Sequence, residues 1–303
     1  MAQSKIHMRS CDSLSTRIPT RQIAALLGLL PIAFASTAFT QSSPMTSIDS
    51  VALVRRAVQH RLDSAKAHSP VQYLMRRIDE RRDSTKAVVE TPDGYVARLV
   101  AINGKPLSPD AEKAELDRLD NLANHPELQE RRHKNEQRDG FRVSHLLSLL
   151  PDALLYQFEE MVSCPSGQCY RLSFTPNASF NPPDLEANVF RGIAGELWID
   201  QTKEQLTRLD ARFISDVDFG FGILGKLNEG GTVLLEQSNF GDNDWELSGL
   251  KIHVTGKALM VKSFSFQVTE TATHYSPIPP GLRYRDAISL LKKMDMFRTP
   301  YTP

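Results

Sequence analysis

Between Thr207 and Phe219 the chain alternates between apolar and charged residues, and a period of two leaves few folds open to it. Successive side chains of a β-strand point to opposite faces of a sheet, so such a segment has one buried and one solvated face. The apolar members are Leu209, Ala211, Phe213, Val217 and Phe219, and the charged members are Arg208, Asp210, Arg212, Asp216 and Asp218. The pattern predicts an antiparallel sheet that must be covered on one side.

Other β-prone segments recur along the chain and are separated by turn residues. They are residues 71–77, 85–91, 95–102, 155–161, 170–174, 232–240, 245–254 and 259–271. In 245–254 the apolar phase slips at Gly249, which predicts a β-bulge. Together the segments predict an antiparallel sheet of about eight strands.

Two apolar helices are predicted to cover this sheet, which makes the fold class α+β. The first follows Thr46 and places Val51, Val54 and Val58 at helical spacing. The second, residues 141–155, is rich in leucine and is expected to break at Pro151. The strongly charged segment 109–139 lies between them in the sequence, next to the second, and predicts a solvated helix interrupted at Pro126.

The sequence CPSGQC places Cys164 and Cys169 five positions apart, between two β-prone segments. A redox pair of the thioredoxin type has two intervening residues instead of four, and a structural zinc site needs four ligands. A disulfide that fixes the register of a hairpin is the favoured interpretation, because the Pro-Ser-Gly sequence between the cysteines is typical of a turn.

The N-terminus predicts a secretory signal peptide over residues 1–38. Four basic residues precede an apolar run from Ile23 to Ala35, and signal peptidase is expected to cleave after Ala35 or Ala38. An uncleaved anchor is the alternative, although the run is short for a membrane span. We expect a periplasmic protein, not integral to the membrane after cleavage, with a single domain over residues 39–303. Its net charge of −3 gives no indication of nucleic-acid binding.

No motif in the chain predicts a cofactor, a metal or a catalytic group. Gly220, Gly222 and Gly225 have dinucleotide-fingerprint spacing, but too few residues follow for a crossover helix, so a bend between strands is expected. The acidic cluster 242–246 does not fit a calcium loop, and the histidines of 125–133 are too far apart for a zinc site on a helix. No nucleophile motif is found. We therefore expect a protein that is not an enzyme.

Three segments carry a resemblance to a known family. GELWIDQTKEQLTRLDARF (195–213), NGKPLS (103–108) and GFGILGKLNEGGTVLLEQ (220–237) resemble the LolA/LolB-like outer-membrane lipoprotein carriers, in an uncharacterised exported branch, and the similarity spans about residues 70–275. The resemblance implies a curved, unclosed antiparallel β-sheet, a half-barrel, with helices packed on its concave face. In the carriers that face accepts acyl chains.

The predicted site combines the leucine-rich helix with the apolar face of the sheet. Its lipid-binding residues are Leu146, Leu147, Leu150, Leu209, Phe213, Val217, Phe264 and Phe266. The first hypothesis is a carrier or binder of lipid or lipoprotein acyl chains, in which the helix withdraws from the sheet. The alternative is a non-enzymatic envelope scaffold that binds a protein partner and keeps a permanently closed core. An unrecognised hydrolase is a third class, for which no constellation of polar residues was found.

Overall fold

The computed structural model describes residues 48–66, 68–220, 224–241, 245–259 and 262–294. The predicted signal peptide, its cleavage site and residues 242–244 of the acidic cluster lie outside this part of the chain. The helices within it are α1 (Ser50–Lys66), α2 (Pro109–Asn124), α3 (Pro126–Ala153), the 3-10 helix Glu186–Arg191 and α4 (Tyr284–Lys293).

The strands form one antiparallel sheet. They are β1 (Val71–Asp79), β2 (Asp83–Val89), β3 (Val96–Ile102), β4 (Lys105–Pro106), β5 (Leu154–Cys164), β6 (Gly167–Pro176), β7 (Ile193–Asp200), β8 (Leu206–Phe213), β9 (Val217–Phe219), β10 (Gly225–Leu227), β11 (Thr232–Asn239), β12 (Trp245–Ala258) and β13 (Lys262–Pro277).

The order of the strands is β4-β3-β2-β1-β13-β12-β11-β8-β7-β6-β5, and β10 joins β12 to β9. The sheet is curved and does not close, which confirms the predicted α+β class with an open antiparallel sheet. Over the described residues it has 13 strands, where the sequence predicted about eight. The strands β4, β9 and β10 have only two or three residues each, too few to show a period of two.

The register of the strands identifies the two faces, because directly paired residues lie on the same face of a sheet. One row of pairs, here called the Leu209 row, is Leu209, Leu235, Leu250, Glu270 and Arg77. The row on the opposite face is Arg208, Glu236, Gly249, Thr271 and Arg76. The Leu209 row is apolar from β8 to β12 and charged on β13 and β1.

In the part of the chain that the structure describes, each face of the sheet carries a hydrophobic core. The first core lies on the Leu209 side and joins α1, the end of α3 and the 3-10 helix to strands β6–β9. The second core lies at the other end of the sheet and joins α2 and α4 to β2 and β3. Its member Ala87 pairs with Leu74, which shares its face with Arg76, so α2 and α4 cover the side opposite to the first core.

The end of the sheet at β3 is protected by polar side chains of α2. Glu115 accepts a hydrogen bond from the backbone N–H of Leu99 at 2.7 Å, and Arg118 donates to the backbone carbonyl of Ala97 at 2.6 Å. Such contacts occupy the backbone groups that an edge strand otherwise offers to another chain. The charged segment therefore has a structural role beyond that of a solvated helix.

The largest difference from the sequence-based expectation concerns α3. The charged residues after Pro126 and the leucine-rich segment are one continuous helix of 28 residues, about 42 Å long. Pro126 occupies the first turn, where its missing N–H costs nothing. Pro151 does not break the helix as expected but lies inside its last turn, and β5 begins at Leu154.

Three local expectations can be checked against the strand register. A register shift faces Gly249, so the predicted bulge is confirmed. Gly220 follows β9 and Gly225 begins β10, and the two strands pair antiparallel, so the predicted bend between strands is confirmed. Gly222 lies outside the described residues. The segment 207–219 is not one strand, because β8 ends at Phe213 and Ile214 donates its N–H to the carbonyl of Gly192.

The two cysteines form the predicted disulfide. Cys164 and Cys169 are bonded across the turn of the β5–β6 hairpin, in which Cys164 pairs with Gly167. The carboxylate of Asp200 lies close to both sulfur atoms. Because the sulfurs are bonded to each other, they cannot serve as a pair of thiolate ligands for a metal.

Candidate functional site

The apolar surface of β7 and β8 forms one side of the candidate site. Phe213 and the nearby Val217 of β9 are each 3% exposed, and Leu209 is half-buried at the edge of the first core. Gly195 pairs with Ala211 in the middle of this surface, and a Cβ at Gly195 would lie 1.9 Å from the carbonyl oxygen of Asp210. The glycine thus permits a close approach between the two strands.

The end of α3 forms the other side of the site. Leu146 and Leu147 are partly buried against the first core, and Leu150 is 5% exposed within it. Their spacing in the sequence places all three on one side of the helix. The structure therefore brings together six of the eight predicted site residues, from Leu146 to Val217, in one cluster.

The other two predicted residues lie outside this cluster. Phe264 and Phe266 of β13 are 37% and 41% exposed. They pair with Gly256 and Val254 of β12, and Val254 packs against the first core. The two phenylalanines consequently extend the same apolar face of the sheet beyond the area that the helices cover.

The sequence-based site missed the contribution of α1. Its residues Leu53, Val54, Ala57 and Val58 are at most 5% exposed and belong to the first core beside α3. The helical spacing of Val51, Val54 and Val58 predicted a helix here but could not show which part of the sheet it covers. In the structure, α1 and the end of α3 lie next to each other on the sheet.

Polar contacts tie the end of α3 to its surroundings. His145 Nε2 lies 2.6 Å from Asp184 Oδ2, and Arg142 Nε lies 3.1 Å from Glu186 Oε1, both in the segment before or within the 3-10 helix. The backbone N–H of Ala187 and then His145 lower the pKa of Asp184. All four ionisable side chains are partly exposed, so water competes with both ion pairs. Each pair therefore contributes little to the stability of the fold.

The middle of α3 leaves apolar side chains in contact with solvent. Phe141 is 74% exposed and Val143 is 57% exposed, and they lie one to two turns before the buried leucines. Within the described residues, no helix is both long enough and apolar enough to cross a membrane. Phe141 and Val143 thus lie exposed just before the leucine-rich end of α3.

Comparison with known proteins gives little further information. No family model and no curated protein matches the chain. One solved structure, described as a "putative outer membrane lipoprotein-sorting protein domain" from Vibrio parahaemolyticus, has 9% sequence identity and a TM-score of 0.30. The match covers 79% of this chain and 100% of that domain. At this TM-score the likeness assigns neither a family nor a function to this chain.

Proposed function

We propose that this protein is an exported, non-enzymatic carrier or binder of lipid or lipoprotein acyl chains. The acyl chain enters the first core when the end of α3 moves away from β7 and β8. The observation that carries the proposal is the continuity of one apolar sheet face, which is covered by Leu146, Leu147 and Leu150 at one place and open at Phe264 and Phe266 at another. An open apolar surface beside a helix-covered one suits a ligand that displaces the helix.

The free energy lost when the three leucines leave the core is similar to the free energy gained when an acyl chain is buried there. Removing three leucines from the core costs about 1.5–3 kcal/mol each. Burial of an acyl chain contributes about 0.8 kcal/mol per methylene group, so a chain of about 6 to 11 methylenes offsets the loss. The polar contacts of His145 and Arg142 are partly exposed and add little to the cost of opening.

We also propose that the protein works in the periplasm. A disulfide at Cys164 and Cys169 suits an oxidising compartment, and the N-terminal sequence has the pattern of an export signal. A protein that transports or retains acyl chains there needs no span of its own in the membrane. Lipid or lipoprotein supply and removal then depend on contact with envelope partners.

A second candidate function is a scaffold whose core stays closed. It is favoured by the tight burial of Leu150, Phe213 and Val217, each at most 5% exposed, since the closed state needs no ligand to complete it. The scaffold binds a partner protein through its surface and never exposes the first core. The two functions differ in whether α3 leaves the sheet.

Lipid binding separates the two functions. We expect mass spectrometry of protein extracted from its native envelope to detect bound acyl chains, and a dansyl-labelled undecanoic acid to bind with a fluorescence increase. Leu147→Ala weakens the closed state and should tighten binding about tenfold, because less free energy is spent on opening. Leu155→Ala, at a leucine that is 55% exposed on β5, serves as the control. Empty wild-type protein, together with no binding by Leu147→Ala, would establish the closed scaffold.

A further inference from the structure

Lys86 is a half-buried lysine in the middle of β2 whose amine has no partner among the described residues. It pairs with Met75 of β1 and Leu99 of β3. Lys86 is two positions from Ser84, the partner of Arg77, so it lies on the face of the Leu209 row. Neither a hydrogen bond nor an ion pair to another described residue satisfies its ammonium group. A lysine in this position usually extends its amine to solvent or to an anion.

Several other cations lie close enough to Lys86 to act on its charge. Arg77 lies on the same face of β1, and Arg82 precedes β2 in the turn after β1. Arg132 of α3 lies with its guanidinium 5.5 Å from the ring centre of Tyr95, next to β3. Desolvation by burial lowers the pKa of Lys86, and the charges of Arg82, Arg118, Arg132 and Arg77 lower it further.

The carboxylates of the region neutralise only part of this charge. Arg77 contacts Asp79 at 3.1 Å and also pairs with Glu270, and Arg118 contacts Glu115 at 2.7 Å. Glu136 lies near Arg132 and accepts the N–H of Tyr95 at 3.2 Å. The side chains of Lys86 and Arg82 contact no carboxylate in the described part of the chain. Like charges on neighbouring side chains repel, and an anion that contacts both of them removes this repulsion.

The Leu209 row connects this cationic region to the apolar surface of the candidate site. The row runs from Leu209 through Leu235, Leu250 and Glu270 to Arg77, beside Lys86, and the carboxylate of Glu270 is paired with Arg77. It crosses four strand spacings, or about 19 Å. One face of the sheet is therefore apolar toward β8 and cationic toward β2, which matches a ligand with an apolar tail and an anionic head.

We propose that Lys86 and Arg82, together with Arg132 of α3, form a binding site for a phosphate ester. Arginine and lysine donors are the usual ligands of phosphate oxygens, and a phosphate removes the repulsion between the cations. The phosphate belongs either to a lipid headgroup or to a small soluble ester. The lipid source rests on the proposed acyl-chain function; the phosphate site itself does not.

Site-specific acetylation tests the proposal without requiring activity. The mature protein is treated with an acetylating reagent at neutral pH, and mass spectrometry measures the rate at Lys86 and at Lys113, an exposed lysine of α2 that serves as the internal control. Three probes are compared: dihexanoylphosphatidylglycerol, glycerol 3-phosphate and dihexanoylphosphatidylcholine, whose headgroup has no net charge. We expect the first probe to slow acetylation at Lys86 about tenfold and to leave Lys113 unchanged.

Variants test whether Arg82 belongs to the site. Arg82→Gln should require about tenfold more phosphate ester for the same protection of Lys86, because one charge-assisted contact is lost. Arg212→Gln removes the same charge from an exposed residue of β8 on the opposite face of the sheet, and should behave like the wild type. Equal effects of the two variants would refute a defined site and indicate general electrostatic attraction.

The probes distinguish the source of the phosphate and separate this proposal from the proposed function. Protection by both anionic probes identifies the phosphate ester alone as sufficient, and protection by phosphatidylglycerol alone identifies a lipid headgroup. Acyl-chain binding with no protection of Lys86 by either anion overturns the phosphate site and leaves the carrier intact. Protection by glycerol 3-phosphate without binding of any acyl chain leaves the site and removes the carrier.

Discussion

His145 Nε2 lies 2.6 Å from Asp184 Oδ2, and this contact joins the end of α3 to the segment that leads into the 3-10 helix. It lies one residue before Leu146 and Leu147, the leucines that cover the apolar sheet surface. The contact is partly exposed at both ends, so solvent and buffer pH reach it. A contact of this kind can bias whether the end of α3 stays on the sheet without determining the stability of the whole fold.

We expect His145→Ala to increase hydrogen exchange over residues 141–150 and to accelerate uptake of the dansyl-labelled fatty acid. The reason is that one attachment of α3 is lost while its buried leucines remain. Lys134→Ala breaks a largely exposed pair with Glu130 on the same helix and is the matched control. Unchanged exchange in His145→Ala would show that the apolar contacts alone hold α3 in place.

The same contact predicts an acid dependence of exchange. The N–H of Ala187 and the contact with His145 lower the pKa of Asp184, so ionised Asp184 favours the folded arrangement. Its contribution is complete above the ordinary aspartate value of about 4 and is lost as pH falls through the lower folded value. Exchange over 141–150, compared at equal intrinsic rates, should therefore rise below about pH 4 in the wild type. Asp184→Asn should remove that rise.

For His68 we predict a contribution to stability that decreases as pH rises, the opposite of the effect of Asp184. His68 Nδ1 lies 3.1 Å from Glu246 Oε1 and its Nε2 lies 2.6 Å from Glu90 Oε2, and hydrogen bonds to Glu246 and Glu90 raise its pKa to about 10. A raised histidine pKa stabilises the fold fully below the unfolded value of about 6.5, and the effect is lost as pH rises through the folded value.

The measurement for His68 compares the wild type with His68→Gln by urea unfolding. We expect the difference in free energy of unfolding to be largest at pH 6 and to fall steadily toward pH 10. The ring resonances of His68 should show no titration between pH 5 and pH 8. A His68 ring that titrates within that range would contradict the double contact with Glu90 and Glu246.

Reduction of the disulfide should weaken the β5–β6 hairpin by a limited amount. The Cys164–Cys169 bond closes a very small loop, so its chain-entropy contribution is only about 2 kcal/mol. Urea unfolding with and without reductant measures it, and Cys164→Ala/Cys169→Ala should match the reduced wild type. Since Cys169 is fully buried, a larger loss in the double variant than on reduction would identify packing instead of cross-linking as the main effect.

The sequence predicted the faces of the sheet better than it predicted what covers them. The alternation around Leu209 and Phe213 predicted the buried side correctly, because a period of two is recognisable within a few residues of sequence. The same reasoning placed Phe264 and Phe266 on this face, but alternation carries no information about the extent of the helix cover. Their exposure could be found only from the three-dimensional arrangement.

The continuity of α3 could not be predicted for a related reason. Gly140 and the charged residues before it interrupt the apolar stripe, and local propensity favours a break there. In the structure the first half of α3 is held by polar contacts instead, such as that between Gln129 Nε2 and the carbonyl of Asp93 at 2.9 Å. Contacts between residues that are distant in the sequence stabilise α3 as one continuous helix. Such contacts cannot be identified from a single sequence.

Gly140 in the middle of α3 gives the last test. A Cβ at this position meets no atom within 4 Å, and the residue is exposed and helical. Gly140→Ala should therefore stabilise the protein by about 0.5–1 kcal/mol, since alanine loses less backbone entropy in a helix. If the end of α3 leaves the sheet by bending at Gly140, the variant should also take up the dansyl-labelled fatty acid more slowly.

Urea unfolding and stopped-flow fluorescence measure the two effects of Gly140→Ala on the same samples. Gly195→Ala is the contrasting variant, because its Cβ would lie 1.9 Å from the carbonyl oxygen of Asp210 and should destabilise the protein by about 1–3 kcal/mol. Stabilisation of Gly140→Ala with unchanged uptake would place the bend elsewhere, or show that α3 moves as a rigid rod. Slower uptake at higher stability identifies Gly140 as the point at which the cover opens.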